Sequence, residues 1–297
     1  MKTRKHTNTV TVVLLAALCL LLQSCIVGTG RRIDPRDRKT FTAEDVMQFD
    51  NVDIDTAAEY CGLIAGNSLW VHVIQGDTLS IRAEGPEEIM RELRIEEYTF
   101  DGDSAGGKKY LKIDIPKENR FLNGYMDVYV TMPKIEYLEG NDNTTIFLDS
   151  PLSSERLSIA GSGGLEINGG TITCSGAFTL DVQGAMTLRA GRISARTVNL
   201  AMQGAGDVDI DTMTCESLIF IAGGASDVDL GRLTASHAQA VMEGACDADI
   251  NFDNSGTARL KVNGACSVTL TGTLKDLDID SQGASFINRS EVKILGK

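Results

Sequence analysis

A glycine-containing repeat with a period of about 20 residues constrains the fold of this chain more than any other feature. Seven glycines each stand just before a short run of alternating apolar residues, and their sequence numbers differ in turn by 21, 20, 20, 20, 20 and 19. They are Gly163, Gly184, Gly204, Gly224, Gly244, Gly264 and Gly283. A unit of this length cannot bury its own apolar face, so each copy has to stack on its neighbours. The repeat therefore predicts a solenoid, with each glycine at a corner where φ is positive.

The pattern inside each copy predicts β-strands. In one copy Val198, Leu200 and Met202 alternate with the polar residues Thr197 and Asn199. Alternation with period two places the apolar set on one face of a strand, and successive copies then pair in parallel about 4.8 Å apart. A leucine-rich horseshoe needs an asparagine ladder that is absent from the sequence, and a β-propeller blade is about twice as long. We therefore predict an all-β fold, a parallel β-helix (β-solenoid) with coils of about 20 residues.

The chain before the repeat is less regular. All five prolines precede residue 152, whereas 19 of the 30 glycines follow it. Short alternating runs recur over residues 49–137, and one helix is predicted over residues 85–93, where a proline stands at the start and acids fill the first turn. The β-helix is thus expected over residues 45–290, divided into irregular first coils (45–150), regular repeats (151–290) and a C-terminal end (291–297).

The N-terminus has the features of an export signal. Basic residues are followed by an apolar run over residues 10–22 and then by Leu22-Gln23-Ser24-Cys25. The run is shorter than the roughly 20 residues that a membrane span requires, and its flanks are typical of a signal peptide. Its end resembles the lipobox of bacterial lipoproteins, in which the cysteine is acylated and the preceding residues are removed. The sequence predicts a signal peptide at 1–24, lipidation at Cys25, and a lipid anchor and tether over 25–44.

The predicted mature chain is acidic. Removing the three basic residues of the signal from the total of 28 leaves 25 against 41 acidic residues, a formal charge of −16. Such a surface repels phosphates, so no nucleic-acid partner is expected, and membrane attachment has to come from the lipid. We expect a cell-envelope protein, lipid-anchored at the outer membrane, with the periplasmic side favoured over the cell surface.

Residues Gln203–Ile210 (QGAGDVDI) and their copies resemble the coils of the putative auto-transporter adhesin head family, also called the GIN domain. The segments Phe49–Val52 and Val71–Asp77 resemble the first coils of that family, and the similarity covers about residues 45–290. The resemblance implies a β-helix and an adhesin-like role, and many members are lipoproteins of Bacteroidetes-like bacteria. This chain departs from the family pattern by placing alanine and cysteine where members often have serine and glycine.

The sequence has no arrangement typical of a catalytic site. Only His72 and His237 follow the signal, and His237 falls at an outward strand position with no acid or nucleophile near it in the repeat. We therefore expect an adhesin-like or scaffold binding module with no enzymatic activity and no cofactor. The alternative is a polysaccharide-binding or polysaccharide-cleaving β-helix, since Arg189, Arg192 and Arg196 precede the acids of the next coil. A glycan and a protein both stay open as ligands, as does the oligomeric state.

Five cysteines follow the predicted anchor, an odd number without the CxxC spacing of a zinc site. They are Cys61, Cys174, Cys215, Cys246 and Cys266. We expect these cysteines to serve as small buried hydrophobic residues. Cys246 and Cys266 fall at one inward position of adjacent coils, in line with Gly206 and Ser226. They are expected to stay free thiols, because stacked parallel Cβ atoms lie farther apart than a relaxed disulfide prefers.

The regular coils also carry a grid of acids. Three consecutive coils are acidic both three and five residues past the corner glycine, at Asp207, Asp209, Asp227, Asp229, Asp247 and Asp249. Neighbours in the stack are expected about 4.8 Å apart on one outer face, where they repel each other. Because calcium accepts about six to eight oxygen ligands, we hypothesise weak Ca²⁺ binding at this grid. A merely solvated acidic stripe is the alternative.

Overall fold

The computed structural model describes residues 38–100, 107–115 and 126–295. The predicted signal peptide at 1–24, Cys25 and most of the predicted tether lie outside these residues. Within the described ranges, no helix has both the length and the apolar composition needed to cross a membrane.

The described chain is a β-solenoid of about eight turns, which confirms the fold predicted from the repeat. Its helices are α1 (Ala43–Val46) and α2 (Glu87–Met90). Its strands are β1 (Lys39–Phe41), β2 (Val52–Asp53), β3 (Tyr60–Ala65), β4 (Trp70–Gln75), β5 (Ser80–Gly85), β6 (Arg94–Tyr98), β7 (Lys109–Asp114), β8 (Asp127–Met132), β9 (Tyr137–Asn141), β10 (Thr144–Leu148), β11 (Leu152–Ser194), β12 (Thr197–Gly264), β13 (Ser267–Gly283) and β14 (Phe286–Ile294). The helix predicted near residues 85–93 is present as α2, directly after Pro86.

Strands β11 to β13 form the regular coils. β11 and β12 contain 43 and 68 residues, because the hydrogen-bonded ladder continues around the corners from one coil to the next. Pairing between these strands is parallel. The register aligns Gly184 with Gly204, and Gly264 with Gly283. The structure therefore confirms the parallel stacking predicted for the repeats.

The repeat glycines occupy the corners of the coils. All seven have positive φ, from +81° to +133°. Successive corners also stack closely, since a Cβ at Gly204 would lie 2.2 Å from the carbonyl oxygen of Gly184. Both the backbone conformation and this close approach exclude a side chain, which explains why glycine recurs in each coil.

Inward side chains of successive coils form one continuous core. Val198, Leu200 and Met202 are all buried, as the alternating pattern predicts. The largest fully buried side chains include Phe178, Phe220 and Phe252. Each such side chain contributes about 1.5–3 kcal/mol through burial, a gain that exists only when neighbouring coils cover it.

The first part of the chain contains antiparallel pairs. β5 pairs antiparallel with β1 and β8, and β6 pairs antiparallel with β7. The parallel pairing predicted for the repeats does not extend to these strands, because they close one end of the stack instead of continuing it. The two helices complete this end, where Val46, Met90 and Leu93 are fully buried.

Two predicted boundaries also shift. Lys39–Phe41 forms a strand and α1 begins at Ala43, so regular structure starts inside the segment expected to be a tether, before residue 45. At the other end β14 continues to Ile294, past the predicted limit of the β-helix at residue 290. In both places the added strand pairs with a neighbour, β1 with β5 and β14 with β13.

Candidate binding site

One outer face of the solenoid carries two rows of outward side chains. The register aligns Trp70 with Thr145 and Thr145 with Glu166. The same alignment continues through the regular coils. We call these aligned residues the groove row: Trp70, Thr145, Glu166, Thr187, Asp207, Asp227 and Asp247. A second set of outward residues lies two positions after the first on each strand. We call it the outer row: Tyr129, His72, Phe147, Asn168, Arg189, Asp209, Asp229 and Asp249.

A groove of about 710 Å³ runs along the groove row, next to the corner glycines. Four consecutive coils each contribute an alanine that directly follows the corner glycine: Ala185, Ala205, Ala225 and Ala245. These small side chains leave the space open, and all seven members of the groove row line it. At about 4.8 Å per coil, seven aligned strands give the groove a length of roughly 29 Å.

Stacked rings occupy the N-terminal end of this face. The His72 ring lies between those of Tyr129 and Phe147, with centroid distances of 4.3 and 4.7 Å and interplanar angles of 16° and 14°. The Arg82 guanidinium lies 3.8 Å from the Tyr129 ring centroid, in cation–π contact. Trp70 meets Phe147 edge-on at 6.3 Å. Its indole is 39% exposed, so it presents an aromatic surface at the end of the groove.

Two carboxylates fix the orientation of the His72 ring. Nδ1 lies 2.8 Å from Oδ2 of Asp149, and Nε2 lies 3.3 Å from Oδ1 of Asp127. Asp127 is buried and also forms an ion pair with Arg38. Because rings cover both faces of the imidazole and carboxylates meet both nitrogens, His72 organises the surrounding face. Sequence reasoning missed this cluster, since its members come from strands that are far apart in the chain.

Arg189 connects the two rows at the middle of the face. Its guanidinium lies 3.2 Å from Oε1 of Glu166 and 3.3 Å from Oδ2 of Asp207. The predicted position of this arginine beside the acids of the next coil is therefore confirmed. Arg192 and Arg196 are exposed. These surface ion pairs stabilise the fold by at most about 1 kcal/mol each, so their main effect is to order the side chains.

The six acids of the predicted grid occupy the C-terminal half of both rows, as the register requires. Burial raises the pKa of Asp229, and the negative charges of Asp209 and Asp249 raise it further. In the described part of the chain, no group of three or more His, Cys, Asp or Glu side chains is arranged to hold a metal ion. The grid therefore lacks a dedicated cation cage, and calcium binding there stays a prediction.

The cysteines lie in the core. Cys61, Cys174, Cys215, Cys246 and Cys266 are all buried. Burial, and after it the neighbouring Cys266, raise the pKa of the Cys246 thiol to about 11. The Cys246 thiol therefore stays protonated at neutral pH and is a poor nucleophile. Cys246 and Cys266 occupy one inward position with Ser226, as predicted, and their redox state in the purified protein stays a prediction.

The second histidine lies away from this face. His237 is exposed, and its Nδ1 is 3.0 Å from Oγ1 of Thr257. Neither His237 nor His72 is hydrogen-bonded to a serine or cysteine side chain in the described residues. Among the described residues, neither histidine therefore forms a nucleophile and base pair with a serine or cysteine on this face.

A stack of coils with a long face of aligned outward side chains defines the molecule as a β-solenoid. The chain belongs to the family described as putative auto-transporter adhesin, head GIN domain, whose model matches residues 59–264. This confirms the family indicated by the QGAGDVDI copies. A search of curated proteins gives no significant match.

Solved structures share the fold at low identity. A putative adhesin from Parabacteroides merdae is similar with a TM-score of 0.62 and 11% identity, covering 90% of this chain and 99% of that one. A putative adhesin from Bacteroides fragilis gives a TM-score of 0.53 and 17% identity, covering 86% and 99%. A protein from Parabacteroides distasonis titled putative lipid binding protein gives 0.53 and 14%, covering 85% and 96%. At these identities the likeness shows the fold alone.

Proposed function

We propose that this chain is a lipid-anchored, adhesin-like binding module of the cell envelope that holds its ligand along the groove. The observation that supports the proposal is the continuity of the groove, which is lined by residues of seven aligned strands on one face. The strands are fixed by the ladder, so the surface loses little conformational freedom when a ligand binds. Family membership and the lipobox-like sequence at Cys25 favour the same role.

The anchor is tested by metabolic labelling with an alkyne fatty acid. We expect label on the wild-type protein, recovered in the membrane fraction, and no label on Cys25→Ala. An unlabelled wild type would contradict the anchor without bearing on the groove.

The groove is tested by adhesion. Fluorescent liposomes carrying the purified lipoprotein are applied to immobilised mucin and to immobilised Bacteroides fragilis cells. Ala225→Arg places a long side chain in the groove, whereas Ile221→Arg changes an exposed position that does not line it. We expect Ala225→Arg to abolish adhesion and Ile221→Arg to retain it, with unchanged circular dichroism in both. Equal adhesion by protein-free liposomes, or by the Ala225→Arg protein, would contradict the proposal.

A further inference from the structure

The groove repeats one arrangement through four consecutive coils. In each of them a small alanine and an outward polar side chain stand in aligned positions, at intervals of about 4.8 Å. A periodic surface matches a linear polymer better than a compact molecule. An extended peptide rises about 3.3–3.4 Å per residue and would drift out of phase with the coils. One pyranose unit with its glycosidic oxygen is close in length to one coil step.

The charge of the groove restricts the polymer further. Glu166, Asp207, Asp227 and Asp247 line one wall, so the groove repels uronate, sulfate and phosphate groups. Carboxylates accept hydrogen bonds, which suits hydroxyl, amide or ammonium donors on the ligand. Charge therefore favours a polymer that is rich in donors and has no acidic groups.

One feature of the wall itself fits a sugar chain. Trp70 is exposed at one end, where its edge-on contact with Phe147 holds the indole in place, and an aromatic face can stack on the apolar face of a sugar ring.

We propose that the groove binds a linear glycan that carries no acidic groups, with Trp70 as the stacking platform at one end. This inference rests on the proposed function of the groove as the binding site. It names the ligand class.

The test is calorimetric titration of the purified full-length lipoprotein in a detergent without a sugar headgroup. The probes are linear hexasaccharides of β-1,4-glucose, β-1,4-N-acetylglucosamine, its deacetylated form and α-1,4-galacturonate, with hexalysine as a cationic peptide. We expect at least one of the first three to bind and the galacturonate to give no heat. Trp70→Ala should weaken the binding about tenfold, and Trp70→Phe should weaken it less. Ile221→Ala, away from the groove, is the matched control.

Several results would overturn the inference: no binding of any neutral or amino-bearing hexasaccharide, binding of galacturonate, or tighter binding of hexalysine than of every glycan. The adhesion assay distinguishes a failure of the glycan inference from a failure of the proposal that the groove is the binding site. If liposome adhesion stays sensitive to Ala225→Arg while none of the glycans binds, the groove remains the binding site and its ligand is of another class.

Discussion

At the residue scale, the corner glycines show how sequence determines this fold. Each combines positive φ with a close approach to the corner of the preceding coil. Only glycine meets both conditions, so the repeat spacing could be read directly from the sequence. The prediction of positive φ at every corner succeeded because the local backbone requirement recurs identically in each coil.

The cost of a side chain at a corner can be measured. Gly224 has φ +97°, and a Cβ there would lie 2.1 Å from the carbonyl oxygen of Gly204. Gly224→Ala should lower the free energy of unfolding by about 2–4 kcal/mol in a urea titration, through backbone strain and steric clash. Gly223→Ala is the adjacent control, since its Cβ would make only an ordinary 3.7 Å contact with the Met202 oxygen. Equal effects of the two substitutions would refute this account.

The acidic grid predicts a stability change with pH. The pKa of Asp229 in the folded protein is raised above its ordinary value of 3.8. As the pH rises above 3.8, the carboxyl group therefore ionises more readily in the unfolded chain, and its ionisation lowers the stability of the folded state. Asp229→Asn should therefore increase stability at neutral pH, by roughly 0.5 kcal/mol because solvent screens these exposed charges. This increase in stability should vanish as the pH falls below the ordinary aspartate pKa of 3.8, where Asp229 is protonated in both states.

Asp181→Asn is the control for the acidic grid, since the register aligns Asp181 with Ala201 instead of another acid. Thermal unfolding of both variants between acidic and neutral pH measures the difference. A destabilised Asp229→Asn protein at neutral pH would contradict the repulsion argument. Adding millimolar calcium to the same samples tests the cation hypothesis, because a bound cation would raise the melting temperature of the wild type.

At the scale of elements, the sequence predicts the regular coils better than the first ones. In β12 each coil repeats the pattern of the last, so the register of the two rows follows from counting past each glycine. No such repeat relates β5 to β8 or β6 to β7, and period-two alternation is the same for parallel and antiparallel strands. The aromatic end of the binding face depends on the parallel pairing of β4 with β8 and β10, which no sequence repeat relates either. It could therefore not be predicted, although the acids at the other end could.

The His72 stack should stabilise the strands that form the aromatic end. Its ring contacts those of Tyr129 and Phe147 and meets two carboxylates. His72→Ala removes these contacts and leaves Asp127 buried with one partner fewer, which should lower the free energy of unfolding by about 2–3 kcal/mol. His237→Ala, at an exposed position, should change it by less than about 0.5 kcal/mol. If the two histidine variants unfold alike in urea, the stack contributes nothing beyond a surface position.

At the scale of the whole molecule, the two ends of the solenoid differ. At the N-terminal end two helices and antiparallel strands cover the core, with Val46 and Met90 fully buried. At the C-terminal end β14 pairs with β13 alone, and Phe286 is 68% exposed. Repeat stacks need a cover on their outermost units, and within the described residues only the N-terminal end has one. Unfolding is therefore expected to begin at the C-terminal coil.

Between Gly184 and Gly264 four coils have the same even length of 20 residues, so one of them can be removed whole. Deleting positions 225–244 removes one whole repeat and joins Gly224 to Ala245, so inward and outward positions keep their faces. This variant should fold, with a β-rich circular dichroism spectrum and a somewhat lower melting temperature, since one interface between coils is lost. Deleting positions 226–244 instead leaves Ala225 in place and reverses the faces of the strand that directly follows the corner, so it should lower the melting temperature more than the first deletion. Equal melting temperatures of the two deletion variants would contradict the register.

Each corner glycine thus marks a position at which a whole coil can be removed or inserted. A segment exchanged between two such glycines shortens or lengthens the solenoid in steps of about 4.8 Å and leaves the chemistry of the remaining face unchanged. The length of the solenoid can then change by gain or loss of whole coils, while each remaining coil keeps its own inward and outward side chains.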